Sequence, residues 1–379
     1  MTMFKDIVRA ALETARTNEA AALASLVRIR GSSPRHSGAR MLIWPDGRFI
    51  GTIGGGTLEW RVIEHARQAL AEGHPRLTNY IFDTHGGPNS VGLCGGSVDV
   101  YIDVNLRQFA EVSQAAFQAL ERGERVALAS IVGEGQAVPQ REDTYLLVWP
   151  DGRTFGSLGG GVVERGVLEE AQAALVERKS RFIKLDPQEI AIHIDVLQPD
   201  PVLLIIGAGH IAQPLAMIGG MLGMRVYVVD DREEWANRER FPTAAEIAVI
   251  GYEPVHEILD PIPFPMTPAT SVVITTWGYD LPAMEQAILQ NPAYIGLVAS
   301  PTKARELFKR MRVKGLPDDL IRKVKAPAGL DVGAESPAEI AVSILGEILN
   351  ETRGGSALPL HEVRGQRIQA LFDQPPVAR

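Results

Sequence analysis

Two stretches of this 379-residue sequence hold residue types and spacings that could do chemistry. In the C-terminal half, Gly207, Gly209 and Ala212 fit Gly-x-Gly-x-x-Ala, and Asp230 follows about 20 residues on. The first glycine permits a tight turn, the second lets backbone approach a pyrophosphate, and the alanine allows close helix–strand packing. The acid hydrogen-bonds ribose hydroxyls. His210 reads either as a phosphate contact or as an exposed residue at a helix start. In the N-terminal half, Gly54, Gly55 and Gly56 lie between a strand-like and a helix-like run. That is the layout of a phosphate-cradling loop and equally of a sharp turn. Glu59 follows, as a ligand contact or as a favourable partner of a helix dipole. Upstream, "GSSPRHSGAR" (31–40) presents Arg35 among hydroxyls, as an anion partner or a surface residue. Cys94 is the single cysteine and sits in Leu-Cys-Gly-Gly, as a reactive thiol or as an inert buried one. The histidines show no H-x-x-x-H or H-E-x-x-H spacing, so there is no zinc signature.

The elements that must position these residues repeat. With Trp44 set on Trp149, an offset of 105, "LIWPDGRFIGTIGGGTLEW" lies on "LVWPDGRTFGSLGGGVVER". The match runs back to Phe4 on Phe109 and forward to "EHARQAL" on "EEAQAAL". Each copy reads as an amphipathic helix (4–17 and 109–122), a strand, a hairpin turning at Pro-Asp-Gly, the triple glycine and a second helix. Proline presets φ at the second turn position and glycine suits the last. Leu58, Val62, Ala66 and Leu70 mark one face of the second helix, as do Val163, Val167, Ala171 and Leu175 in the other copy. The copies differ in that Ser32, Ser33, Arg35, Gly38 and Cys94 belong to the first alone. The economical reading is one decorated copy and one structural copy, with Glu164 as a dipole partner.

From Val202 the chain reads strand, glycine turn, helix, strand, acid, the context a dinucleotide site requires. Short apolar runs at 246–251, 271–277 and 294–300 read as buried parallel strands. Asp280 and Ser300 with their nearby prolines look like helix starts, and Ser336-Pro-Ala-Glu339 is a capping box. Thr275, Thr276, Trp277, Ser300 and the loop 326–335 could reach the crevice beyond the strand ends. The fold class expected is therefore α/β. An N-terminal α/β domain (1–198, repeats 4–104 and 109–198) precedes a Rossmann-like doubly wound parallel-sheet domain (199–352) and a tail (353–379). The last residues, "DQPPVAR", read as disordered.

Composition excludes several classes. The formal charge of −8 and the lack of a basic stripe argue against nucleic acid as a partner. No apolar run reaches the roughly 20 residues of a membrane helix. The N-terminus places apolar residues at helical spacing among charges and does not read as a signal peptide. With one thiol and no leader, the expected place is the cytoplasm.

The ordered motifs "GSSPRHSGARMLI", "GTIGGGTLE", "LCGG", "IIGAGHIAQPLA", "VVDDR", "YIGLVASPTKA" and "GLDVGAESPAEIAVSILGEI" resemble the XdhC/CoxI family along nearly the whole chain. These are accessory proteins that mature molybdenum hydroxylases such as xanthine dehydrogenase and carbon monoxide dehydrogenase. The resemblance implies a chaperone rather than a catalyst. It would bind molybdopterin or its dinucleotide form, protect it during sulfuration and insert it into an apo molybdenum hydroxylase. A cysteine desulfurase would be the sulfur donor and the chaperone a homodimer. It places Arg35, Gly54–Gly56, Glu59 and Cys94 in one set of family motifs, with Cys94 as a molybdenum or sulfur contact. Gly207, Gly209, Ala212 and Asp230 lie in another. The family's histidine near Thr275 is replaced here, where the chain reads "TTWGYD". Two other readings use the same Rossmann site: an NAD(P)-dependent oxidoreductase and a nucleotide-sensing scaffold.

Overall fold

The computed structural model describes residues 2–31, 38–82, 96–133, 143–185 and 190–364. The chain divides into two units, Met1–Pro199 and Asp200–Arg379.

In the first unit the repeat is a structural duplication. The first copy runs α1 (Thr2–Thr17), β1 (Ala22–Gly31), β2 (Arg40–Ile43), β3 (Phe49–Gly51), α2 (Gly56–Glu72), β4 (Arg76–Phe82) and β5 (Gly96–Asp103). The second runs α3 (Leu106–Glu121), β6 (Val126–Ile131), β7 (Tyr145–Val148), β8 (Thr154–Ser157), α4 (Gly161–Glu177), β9 (Arg181–Leu185) and β10 (Ile190–Leu197). Their five-stranded antiparallel sheets have matching orders, β3-β2-β1-β5-β4 and β8-β7-β6-β10-β9. Both Pro-Asp-Gly turns close as the residue types require: Gly47 N–H donates to Trp44 O at 2.9 Å and Gly152 N–H to Trp149 O at 3.0 Å. The arginine after each turn then lies over the preceding tryptophan ring, 5.1 Å from its centroid in both copies.

One face of each sheet buries its own helix. Leu58, Val62, Ala66 and Ala69 of α2 pack in one core, and Val167, Ala171, Ala174 and Leu175 of α4 in its counterpart. The expected faces are met except that Leu70 and Val163 are only half-buried. The other faces of both sheets share one core with α1 and α3, containing Leu23, Leu42, Phe109, Leu128 and Leu147.

In the second unit a parallel sheet has the order β13-β12-β11-β16-β17-β18. Its strands are β11 (Val202–Ile206), β12 (Arg225–Asp230), β13 (Glu246–Val249), β16 (Thr270–Ile274), β17 (Tyr294–Leu297) and β18 (Val324–Lys325). β14 (Tyr252–Glu253) and β15 (Ile258–Leu259) form a small separate hairpin. Helices α5 (Ala212–Met221) and α9 (Pro337–Arg353) cover one face. Helices α6 (Asp280–Gln290) and α7 (Pro301–Val313) cover the other. Two short helices, α8 (Asp318–Ile321) and α10 (Leu360–Arg364), complete the set. This strand order is the doubly wound Rossmann arrangement, and the order reverses between β11 and β16.

All three helix starts fall where the sequence puts them, with the expected side-chain cap in two. Ser300 Oγ accepts from Lys303 N–H at 3.3 Å, and Ser336 and Glu339 form the expected capping box. Asp280 is not a cap. It is the first residue of α6, after Tyr279, and its carboxylate pairs with Lys303 Nζ at 2.8 Å. The "DQPPVAR" terminus lies outside the described residues.

Candidate functional site

The glycine turn after β11 is built by its neighbours. Gly207 has φ +102, and a Cβ there would lie 2.5 Å from Thr275 O, so only glycine lets β11 and β16 close up at the sheet's switch point. Its N–H donates to Val229 O at 2.7 Å, and Thr275 Oγ1 donates to Gly207 O at 3.3 Å. Gly209 faces open space on its Cβ side, which leaves room for a ligand to approach the backbone. Ala212 is fully buried at the start of α5.

Asp230 is fully buried, and both its oxygens are engaged. Oδ2 accepts from Ala208 N–H at 2.6 Å and from Arg232 Nη2 at 3.1 Å. Oδ1 accepts from Arg232 N–H at 3.0 Å and Arg232 Nε at 2.8 Å. Burial pushes the carboxyl up, but the bonds from Arg232 and Ala208 outweigh it and hold it below the usual range. Burial and the neighbouring Asp230 charge push Asp231 the other way. Asp230 therefore pins the glycine loop, and a ribose hydroxyl would have to displace one of these donors.

The rim of this corner carries residues the motif did not single out. Arg232 and Arg240 lie over the Trp235 ring, 4.8 and 4.5 Å from its centroid, and exposed His210 meets its edge at 5.5 Å. Arg240 Nη2 donates to Ala208 O at 3.1 Å, while its Nε is buried without an acceptor. The "REEWANRER" run (232–240), with Arg232 and Arg240 on either side of one tryptophan, was the available signal. Across the switch point, Thr276 Oγ1 and Asp280 Oδ1 are buried without partners, and Trp277 is 90% exposed. Orphaned polar atoms of this kind mark places where a ligand or water completes the bonding. Ser300 is exposed at the head of α7, whereas the loop 326–335 is tied to α9 through Gly329 N–H to Glu347 and Ser343 Oγ to Leu330 O.

The triple glycines of the first unit hold an anion of their own. Glu59 Oε1 accepts from Ile53 N–H at 3.1 Å, Gly55 N–H at 2.9 Å and the Thr52 hydroxyl, and Gly54 N–H donates to Thr52 Oγ1. The second copy repeats this. Glu164 Oε2 accepts from Leu158 and Gly160 N–H at 2.9 and 3.1 Å and from Ser157 Oγ at 3.1 Å. Burial raises the Glu59 carboxyl, and the loop's donors outweigh it and set it below its ordinary value. Backbone donors from Leu158 and Gly160 do the same to Glu164. A phosphate entering either loop must displace that carboxylate. Arg35 and Cys94 lie outside the described residues.

The base of the Arg35 loop is described. Arg40 Nη1 donates to Gly38 O at 3.0 Å and pairs with Asp195 Oδ2 at 2.7 Å, both side chains 6% exposed. Gly38 has φ +92, and a Cβ there would collide with the Asp195 carboxylate. Gly38 and Arg40 of the first copy are thus seated on a strand of the second. The pairing is reciprocal: Tyr145, at the position of Arg40, donates to Asp103 Oδ2 at 2.7 Å. Asp103 and Asp195 correspond, since they pair with Leu23 and Leu128.

Comparison with known proteins agrees with this architecture. A family profile described as the XdhC Rossmann domain matches residues 203–348, and one described as the XdhC and CoxI family matches 14–80 and 119–186. The uncharacterized protein YqeB of Escherichia coli K12 is 34% identical over 65% of this chain, which spans about half (47%) of its length. A probable xanthine dehydrogenase subunit of Bacillus subtilis is 26% identical, covering 87% of this chain and 93% of its own. The molybdenum cofactor insertion chaperone PaoD of E. coli K12 is 22% identical, covering 91% and 87%. A crystal structure described as a xanthine dehydrogenase from Bacillus halodurans shares the fold, with a TM-score of 0.55, 23% identity and coverage of 94% and 99%.

Proposed function

The chain belongs to the XdhC and CoxI family, and on that premise we propose that it is a maturation factor for the molybdenum cofactor rather than a catalyst. The observation that carries this reading is the near end-to-end match to an insertion chaperone, which covers both units of the chain. The cargo would be molybdopterin or its dinucleotide form, and the recipient an apo molybdenum hydroxylase of the xanthine or carbon monoxide dehydrogenase type.

The C-terminal crevice suits the dinucleotide end of such a cargo. Gly209 leaves the backbone approachable, His210, Arg232 and Arg240 gather around Trp235, and Thr276 lacks a partner. Planar rings stack on tryptophan and guanidinium faces, and guanidinium forks bind phosphate. Asp230 and Glu59 act in this reading as braces for their loops, since their own chain occupies them. In the N-terminal unit Arg35 and Cys94 remain the candidate cargo contacts, with the thiol as a soft contact to molybdenum or to the sulfur being installed. Sulfuration by a cysteine desulfurase and a homodimeric carrier belong to the same proposal. Among the described residues no helix is long and apolar enough to cross a membrane.

The test is to denature the purified protein and identify what it releases by mass spectrometry. A pterin supports the carrier. Release of a nicotinamide dinucleotide, with hydride transfer to a carbonyl panel, overturns it in favour of an oxidoreductase. Full activation of a client hydroxylase by Cys94→Ser would remove the thiol from the mechanism, and unchanged activation by Gly209→Val would remove the Rossmann loop.

A further inference from the structure

Among the described residues, two arginines of the second repeat have buried donors without acceptors. Arg178 closes α4 in the left-handed conformation (φ 57, ψ 35), and Arg125 immediately precedes β6. Neither side chain makes a hydrogen bond or ion pair among the described residues, and Arg125 Nε and Arg178 Nη1 are buried without acceptors. The acids beside them are committed elsewhere. Glu124 pairs with Arg122 at 3.1 Å and accepts from Trp149 Nε1, while Glu177 pairs with Arg181 at 2.7 Å. Burial first, and then the Arg178 charge, push Arg125 below its usual value. Like charges held together without a counter-ion are an unfavourable arrangement that an anion would relieve.

The first repeat shows what the fold itself needs here. Its counterparts are Ala20 and Gly73. Gly73 ends α2 in the same left-handed conformation (φ 72, ψ 19), with its N–H on Ala69 O as Arg178 N–H is on Ala174 O. Glycine suits that conformation, and a residue with a Cβ is strained in it. In the first repeat these small residues line a cleft of about 860 Å³, together with His74, Asp103 and Asn105. The second repeat places two cations where the first places alanine and glycine, so the scaffold does not require them.

We propose that Arg125 and Arg178 form an anion site in the second repeat, taking the phosphate monoester or diphosphate end of a small molecule between two guanidinium forks. Five N–H donors on each fork suit the oxygens of a phosphate, and bidentate contacts give the orientation that a lysine pair would not. The site is separate from the Rossmann crevice and does not rest on the cargo reading.

The experiment is calorimetric titration of the full chain with inorganic pyrophosphate at low salt. It compares the wild type with Arg125→Ala, Arg178→Gly, Arg125→Lys and Gly209→Val. Arg178→Gly installs the residue that already occupies this backbone in the first repeat, and a cooperative thermal transition without ligand verifies its fold. The expected result is binding that survives Gly209→Val and weakens about tenfold or more in each single arginine variant, as loss of a charge-assisted bond implies. Arg125→Lys keeps the charge and loses the fork, and should fall between. Absence of wild-type binding, unchanged binding in Arg178→Gly, or binding lost only in Gly209→Val overturns the proposal.

Discussion

The two repeats share one backbone plan but use it for different ends. Where the first opens a cleft lined by Ala20 and Gly73, the second fills the matching positions with Arg125 and Arg178. Where the first buries Arg40, the second buries Tyr145, and each reaches an aspartate of the other copy. Yet both triple-glycine loops close on their own glutamate with the same donors. The invariant part is thus the strand-to-helix turn, and the divergent part is the charge planted around it. The second copy lacks Arg35 and Gly38 at the matching positions, while its Asp195 seats Gly38 and Arg40 of the first.

The sharpest way to break this comparison is at the reciprocal contacts. Asp195→Leu should cost about 3–5 kcal/mol, because it strands the Arg40 guanidinium in a buried site. Tyr145→Phe should cost only about 1–2 kcal/mol, since it removes one hydrogen bond from Asp103, a carboxyl whose burial already raises its pKa. Urea unfolding of the two variants measures both. Equal losses would mean that the charged and neutral contacts carry the same weight, against this account.

The next effect is one of pH. His193 and Tyr101 occupy corresponding positions, and both are buried. Burial first, with Arg40 adding to it, pushes His193 down to about 4 against the attraction of Asp195, while Tyr101 is pushed far above its usual value. An unfolded histidine takes its proton near pH 6.5. The stability due to a neutral His193 is therefore whole above pH 6.5 and is lost as pH falls toward 4, with a slope of up to about 1.4 kcal/mol per unit. His193→Tyr, which imports the first repeat's residue, should flatten that part of the profile in thermal melts. A profile with the same slope would show that His193 is charged in the fold.

How much of this was legible follows from how local each feature is. The Pro-Asp-Gly turns, the Ser336 capping box and the Gly207 turn are set by residues a few positions apart, so residue type alone located them. Arg40 and Asp195 come from different copies, and no periodicity links them. Gly38 did carry the signal, as a glycine of the first copy alone, but its reason is a carboxylate on a distant strand. Asp230 was readable as the acid closing the Rossmann strand. That Arg232 and the Ala208 amide saturate it depends on side-chain directions that spacing does not encode. Glu59 read equally as a dipole partner and a ligand contact, and its bonds to Ile53 and Gly55 explain its spacing without a ligand.

That equivalence yields a smaller test. Glu59→Gln and Glu164→Gln each leave the loop amides facing an uncharged acceptor. The half-exposed sites discount the charge, so each should cost about 1 kcal/mol. Both carboxyls titrate below their unfolded value, so their contribution is present above about pH 4.3 and fades as pH falls through the depressed folded value. Equal losses by urea unfolding support one shared structural role. A Glu59→Gln variant of wild-type stability that alone fails to activate a client hydroxylase would instead put that residue in contact with cargo.

The smallest effect has the opposite sign. Arg178→Gly should raise stability by about 0.5–1 kcal/mol, because the left-handed residue that closes α4 no longer carries a Cβ and two crowded guanidinium groups become one. Gly73→Ala, the reverse change at the matching helix end, should lower stability by about 1 kcal/mol, with open space around the new Cβ leaving the backbone strain as the cost. Thermal denaturation of the pair separates two explanations of Arg178. A gain on its removal means that the arginine is held against the preference of the fold, as the anion-site reading expects. A loss means that the side chain stabilises the end of α4 by its charge on the helix dipole, and then the second repeat is scaffold throughout.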